Sequence, residues 1–571
     1  MAFQISPGVN WTEIDLTTIV PSVGTTEGAF AGDFVWGPVE TIVSISSENE
    51  LVRTFGKPDA NTFKSFYSAA NFLAYARTLK VVRAANTSLA KNATAAGNGL
   101  LIKNRDHYET NYFDLSAANT YGMVAAKYPG DLGNSLKVSF WAGSANANAF
   151  ATWDYAEEFD SHPATSAYAA RFGSSNDEMH IIVIDEDGKF SGFANTVLEK
   201  FAFVSKASDA KNDDGSSNYW VNVLNEKSRY IYALNPAQNT QTQVQDTSTW
   251  GLPATGGVSY AQNTNSYTMS LANGVFAPAS NANLITAYDK FANPEEVDIS
   301  LIVTGAASRN VSEYIVDNIA EKRKDCVVFI SPEMDDVVDN EGFETENIIS
   351  YRNKFNSSSY AVMDCNWKYQ FDVYNNVYRW LPLNGDIAGL CVRTDFERDP
   401  WWSPAGFNRG HIKNVVKLAW NPDRSDRDEL YKNGINPVNT FPGEGTVLYG
   451  DKTMLARPSA FDRINVRRLF IVLEKAISRA AKYSLFEFND EFTRAQFVAL
   501  VEPYLRDVQG RRGIYDFRVV CDTSNNTPEV IDRNEFVGDI YIKPARSINY
   551  ITLHFVAVRS GVAFDEITGR F

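Results

Sequence analysis

Apolar residues recur along this chain with two periods, and the periods change over in blocks. Asn61 to Arg77 sets Phe63, Phe66, Ala70, Leu73 and Ala74 near one side at three- and four-residue spacing, which predicts a helix. Ahead of it, Gly28-Ala-Phe-Ala-Gly-Asp-Phe-Val-Trp-Gly-Pro38 predicts a strand closed by a Gly-Pro turn, and Leu79 to Arg83 a short strand behind it. Strand-length apolar runs return later. Val297-Asp-Ile-Ser-Leu-Ile-Val303 and Cys326-Val-Val-Phe-Ile330 have strand length, and the helical pattern of Val311 to Lys324 lies between them. That order is a βαβ unit with a right-handed parallel crossover.

Residues 88–283 break the rhythm. They are rich in Asn, Ser, Ala, Gly and Thr and carry short alternating runs such as Leu136-Lys-Val-Ser-Phe140 and His180-Ile-Ile-Val-Ile184. Asn235 to Asn265 has almost no period and reads as a long loop. A mainly β insertion of this kind belongs on an outer surface, where it disturbs its host least. Further on, His411 to Ala419 and Arg463 to Tyr483 read as helices. Tyr515 to Val520, Asp539 to Ile542 and Ser547 to Val558 read as strands, the last with Ile551, Leu553, Phe555 and Ala557 on one face. Residues 1–22 fit neither period. Pro7, Gly8 and Pro21 break a helix, and Val9, Trp11 and Ile14 remain as anchors for an extended arm.

The expected fold is α+β and multidomain, with discontinuous, nested domains. An N-terminal arm (1–22) precedes a middle α/β domain (23–87 plus 284–410). A mainly β outer domain (88–283) is inserted in it. An inner α/β C-terminal domain (411–571) follows and includes a C-terminal arm (547–571).

Composition sharpens this picture. At 571 residues the chain exceeds one compact core. Aromatic residues reach 13%, enough to line large interfaces as well as cores. The net charge of −16 disfavours direct nucleic-acid binding and anionic membrane surfaces. Residues 411–571 hold 23 Lys+Arg against 21 Asp+Glu, so the acidity lies in the rest of the chain. No apolar run of about 18 residues offers a membrane span. The cysteines, Cys326, Cys365, Cys391 and Cys521, are widely spaced and read as buried free thiols.

Enzymatic chemistry finds no support in the motifs. The βαβ turn, Thr304-Gly-Ala-Ala-Ser-Arg309, has one glycine where a dinucleotide fingerprint needs three, and reads as a sheet-packing turn. Asp185-Glu-Asp187-Gly188 places its glycine too early for a calcium loop and reads as a hairpin turn. The five histidines are scattered, and no G-x-S-x-G elbow occurs. No catalytic residue, cofactor or metal is expected. One helix does stand out by its charge. Arg463, Arg467, Arg468, Lys475, Arg479 and Lys482 form a basic ridge on Phe461 to Lys482, which reads either as a docking surface for an acidic partner or as a solvated face with local acidic neighbours.

Several collinear segments resemble the tail sheath proteins of contractile-tailed bacteriophages of the T-even-like type. Near the start these are Ser6-Pro-Gly8, Phe34-Val-Trp-Gly-Pro38 and Thr54-Phe-Gly-Lys-Pro58. Later come Asp386-Ile-Ala-Gly-Leu-Cys391, Ser403-Pro-Ala-Gly-Phe-Asn-Arg-Gly410 and Val447-Leu-Tyr-Gly-Asp-Lys-Thr453. Phe461-Asp-Arg-Ile-Asn-Val-Arg-Arg-Leu-Phe470, Ile531-Asp-Arg-Asn-Glu-Phe536 and Pro544-Ala-Arg-Ser-Ile-Asn-Tyr-Ile-Thr-Leu553 complete the set. The resemblance covers residues 1–87 and about 284–571, with Tyr128-Pro-Gly-Asp-Leu-Gly133 as a weaker match. The family's outermost domain looks absent, since only residues 88–122 stand in its place.

The resemblance implies a structural subunit of a phage virion, assembled in the host cytoplasm as stacked hexameric rings around a tail tube. The sleeve would contract on a baseplate signal and drive the tube through the host envelope. The implied partners are further copies of the chain, the tail tube protein, and baseplate and tail terminator proteins. The arms would join neighbours by strand addition through Val9, Trp11, Ile14, Ile551, Leu553 and Phe555, and the basic ridge would face the tube. A sheath subunit of a phage-derived contractile injection or secretion system is the alternative, and a cell-wall hydrolase a more distant one.

Overall fold

The structure is a computed structural model and describes residues 23–113, 118–143, 147–234, 247–263, 265–549 and Thr552. Its centre is a seven-stranded sheet. The spatial order is Ile435–Asn436, Ala361–Asp364, Val327–Ile330, Leu301–Val303, Gly28–Asp33, Leu79–Ala84 and Ile42–Ile45. The first six run parallel, and the Ile42–Ile45 edge is antiparallel. Leu301, Ile302 and Val303 are all buried, as are Val327 to Ile330. Consecutive buried positions mean that both faces are covered, which is why these parallel strands read as unbroken apolar runs.

The expected βαβ unit is present. Leu301–Val303 and Val327–Ile330 pair in parallel, joined by helical turns from Arg309 to Arg323 that include a π-type turn at Ile315–Ala320. The turn after Leu301–Val303 is packed into the core: Gly305 N donates to Asn384 Oδ1 at 3.1 Å. Helix Phe63–Leu73 lies against helix Asn384–Glu397. Their backbones approach so closely that a Cβ on Gly385 would sit 2.4 Å from the Ser68 carbonyl oxygen, so a side chain there would force the two helices apart.

The chain leaves this sheet after Leu79–Ala84 and returns to it at Leu301–Val303. In between, Thr196–Ser205, Glu178–Asp185, Leu136–Trp141 and Tyr267–Ser270 build an antiparallel sheet in that order. Its core includes Phe140, Ile181, Trp220 and Trp250. Asp185 to Gly188 opens the hairpin between two antiparallel strands, with Gly188 at φ +77°. Aromatic packing and a buried arginine are among the contacts that tie the β unit to the central body. Trp36 packs edge-on against Tyr128 and Phe190. Arg83, fully buried, donates to the carbonyls of Gly37 (2.8 Å) and Pro129 (2.6 Å).

Two expectations need correction. The central sheet takes its edge strand from Ile435–Asn436, so the expected boundary at 410 cuts through it. His411 to Ala419 is not a helix. Ile412 N donates to Thr446 O and Val416 N to Tyr369 O, and Lys417–Leu418 forms a short antiparallel strand. Helix-like spacing of Ile412, Val415 and Leu418 yields here to tertiary pairing. Residues 247–263, expected as loop, hold no α-helix and no strand, only turns such as the 3₁₀ turn at Ala254–Gly256, and bury Trp250; residues 235–246 lie outside the described residues. Finally, helix Glu491–Gly510 was not anticipated. It packs Phe497, Val501, Leu505 and Val508 against Leu469 and Leu473 of helix Ile464–Ala481 and against Ile514.

Candidate assembly surfaces

The basic ridge is not a free surface. Five of its six charges meet acidic partners within the chain. Arg468 makes a bidentate pair with Asp395 on helix Asn384–Glu397, at 2.6 and 2.7 Å. The Thr25 hydroxyl donates to the same carboxylate at 2.6 Å, and both charged side chains are 4% exposed. Arg467 is buried over the rings of Tyr360 and Phe461, at 4.5 and 4.6 Å, with Glu474 beside it. Lys475 and Arg479 converge on Asp298, and Lys475 Nζ also donates to the Ile299 carbonyl at 3.2 Å. Arg463 pairs with Asp451 at 3.0 Å and donates to the Tyr431 hydroxyl. Lys482 alone of the six is exposed.

Helical spacing explains the arrangement. Arg468, Lys475 and Arg479 fall seven and four residues apart and share one side, the side that faces the central body. Burial pushes Asp298 up, but hydrogen bonds and charge from Lys475 and Arg479 outweigh it and hold the carboxyl below its ordinary value. Burial pushes Asp395 up, and Arg468 pulls it back only in part. Of the two readings of the ridge, local acidic partners hold for five of the six charges. Arg467 and Arg468 are therefore not presented at the surface of the chain, whereas the Arg479 side chain stays 40% exposed.

What the helix does expose lies just beyond its end. Tyr483, Leu485, Phe486 and Phe488, in the connection to helix Glu491–Gly510, and Phe492 in its first turn are all exposed. Phe486 sits at φ +69°, a left-handed conformation unusual for an aromatic residue. Five exposed large apolar side chains in so short a stretch mark an interaction surface. The sequence carried the signal, a cluster of aromatics between acidic residues, but it was not singled out.

The second surface is a hairpin. Ile514–Val520 and Asp539–Pro544 pair antiparallel as a two-stranded sheet. Tyr515 and Tyr541 are exposed on it. Among the described residues neither strand has another partner strand. Two strands alone are marginal, and open edges invite further strands. The expected arm residues Val9, Trp11, Ile14, Ile551, Leu553 and Phe555 lie outside the described residues; Ser547 to Asn549 are described and are not part of a strand.

All four cysteines are free and buried. Among the described residues no cluster of acidic, His or Cys side chains could hold a metal, and no helix is long and apolar enough to cross a membrane.

Residues 277–454 match the phage tail sheath protein central domain, 456–557 the phage tail sheath C-terminal domain, and 29–84 the N-terminal region of tail sheath protein Gp18 domain III. A tail sheath protein of Vibrio phage KVP40 is 36% identical, covering 99% of this chain and 100% of that protein.

The chain belongs to the phage tail sheath family.

The tail sheath protein of Enterobacteria phage T4 is 35% identical, with 99% of each chain covered. The sheath fold extends further. A sheath tail protein from Listeria innocua has a TM-score of 0.51 at 13% identity, covering 92% of this chain and 96% of that one. The hairpin and the exposed aromatics both lie within the matched sheath C-terminal domain.

Proposed function

We propose that this sheath chain polymerises as stacked hexameric rings around a tail tube and that the polymer contracts to drive the tube through a host envelope. The polymer would assemble in the host cytoplasm, bounded by baseplate and tail terminator proteins. The observation that carries this reading is the open two-stranded sheet Ile514–Val520/Asp539–Pro544 in the sheath C-terminal domain. Strands from neighbouring copies, supplied by residues 1–22 and 547–571, would complete it by main-chain pairing. Such ladders hold while the bodies they join rotate, because the linkers bend instead. Work then comes from a metastable lattice and needs no bound fuel.

With the Arg467 and Arg468 side chains committed internally, the tube-facing role passes to Lys482 and the aromatics from Tyr483 to Phe492. The near-complete match to phage relatives favours a virion over an injection-system sheath. Electron microscopy of the purified chain tests the reading. Hollow helical tubes support it, and a monodisperse monomer at all concentrations overturns it.

A further inference from the structure

Four of the segments on which the resemblance rests meet at one carboxylate. Asp451, itself 3% exposed, accepts at Oδ2 from the hydroxyls of Ser403 (3.0 Å) and Ser547 (2.8 Å). At Oδ1 it accepts from Arg463 Nη1 at 3.0 Å, and the Tyr431 hydroxyl lies 3.1 Å away. Asn549 joins the same cluster. With its amide turned to satisfy both ends, it donates to the Ser547 carbonyl (3.2 Å), and its oxygen lies 2.8 Å from the Tyr431 hydroxyl and 3.0 Å from Arg463 Nη1.

These groups divide into two sets. Ser403, Tyr431, Asp451 and Arg463 belong to the body. Ser547 and Asn549 belong to the segment that follows the hairpin. Ile548, between them, is 82% exposed. Ser547 is half-buried, and Asn549 is exposed although its amide reaches the cluster. Ser547 donates to the buried acceptor itself, and Asn549 meets Tyr431 and Arg463 beside it, so side chains hold the segment at two positions.

We propose that Asp451 is the docking site for the root of the C-terminal arm, held at Ser547 and Asn549 so that the chain beyond leaves in one direction toward a neighbouring copy. The proposal rests on the strand-addition reading above. A strand presented in a fixed direction has less freedom to lose on pairing, so the anchor raises the effective concentration of the arm at its neighbour's sheet.

The test uses the full chain carrying Ser547→Ala and Asn549→Ala. These remove the arm's side of the cluster and leave the Arg463–Asp451 pair in place. The expected monomer melts within about 2 °C of the parent. Its polymers first appear, by sedimentation, at a concentration roughly tenfold higher, and trypsin cuts after Arg546 faster. Ser547→Thr, which keeps the hydroxyl, polymerises as the parent does. An unchanged onset concentration in the double variant overturns the proposal. A chain ending at Asn549 separates the two ideas. If it fails to polymerise while the double variant is normal, the anchor is wrong and strand addition stands. If it polymerises as the parent does, both are wrong.

Discussion

Arg468 and Asp395 close on one another at 2.6 Å with both side chains all but sealed from solvent, and they join helix Ile464–Ala481 to the central body. Removing one partner strands a buried charge. Asp395→Ala is expected to lower monomer stability by about 3–5 kcal/mol, measured by urea unfolding below the polymerisation concentration. The paired change Asp395→Leu with Arg468→Met should recover most of that loss. If Asp395→Ala is instead neutral, the pair does not hold the two units together.

Charge reversal at Arg467 and Arg468 has a matching outcome. Glu at either position would face Asp395 or lose the stacking on Tyr360 and Phe461. The double variant should lose tube-bound and tube-free polymers alike, because the monomer itself fails. Lys482→Glu with Phe486→Ser and Phe488→Ser touches only exposed positions. It should leave melting nearly unchanged, within about 0.5 kcal/mol, and reduce co-sedimentation with tail tubes. Normal tube binding by that variant would remove the aromatic segment from the tube interface.

The sequence was informative where burial is uniform and local. Leu301–Val303 and Val327–Ile330 stood out because both faces are covered, and the strand–helix–strand order then set the parallel pairing. It was silent where distant residues decide. Nothing in the spacing of Arg468, Lys475 and Arg479 names Asp395 or Asp298 as their partners, so an internal seat looked like a docking ridge. Helix Glu491–Gly510 has a regular stripe in Phe497, Val501, Leu505 and Val508, yet Pro503 lies inside it. A proline there argues against a helix at about 3 kcal/mol, and packing against Leu469 and Leu473 overrides it. The cluster at Asp451 was not legible in the sequence, because its members come from five places along the chain and one of them, Tyr431, lies outside the family-like segments.

Asp298 gives the seat of the basic helix a pH dependence. Its folded value lies below the ordinary one, so its contribution is complete above about pH 3.9 and fades as pH falls through the folded value. Asp298→Asn should therefore lower stability at neutral pH and flatten the acid limb of the stability curve. The carboxylate is about one-third exposed, so added salt should shrink the difference between parent and variant. Equal acid limbs in low salt would mean that Lys475 and Arg479 gain nothing from it.

Deleting residues 1–22 tests the arms most directly. The body from Val23 onward holds its own sheet and cores, so the truncated chain should fold and melt cooperatively near the parent temperature. It should nonetheless remain monomeric at concentrations where the parent forms tubes, because the open hairpin would lack a strand from its neighbour. Adding residues 1–22 as a separate peptide should occupy the edge and inhibit the parent by competition. A truncated chain that assembles normal tubes would show that the lattice is held by body-to-body contacts, and the exposed aromatics from Tyr483 to Phe492 would then be the first place to look for them.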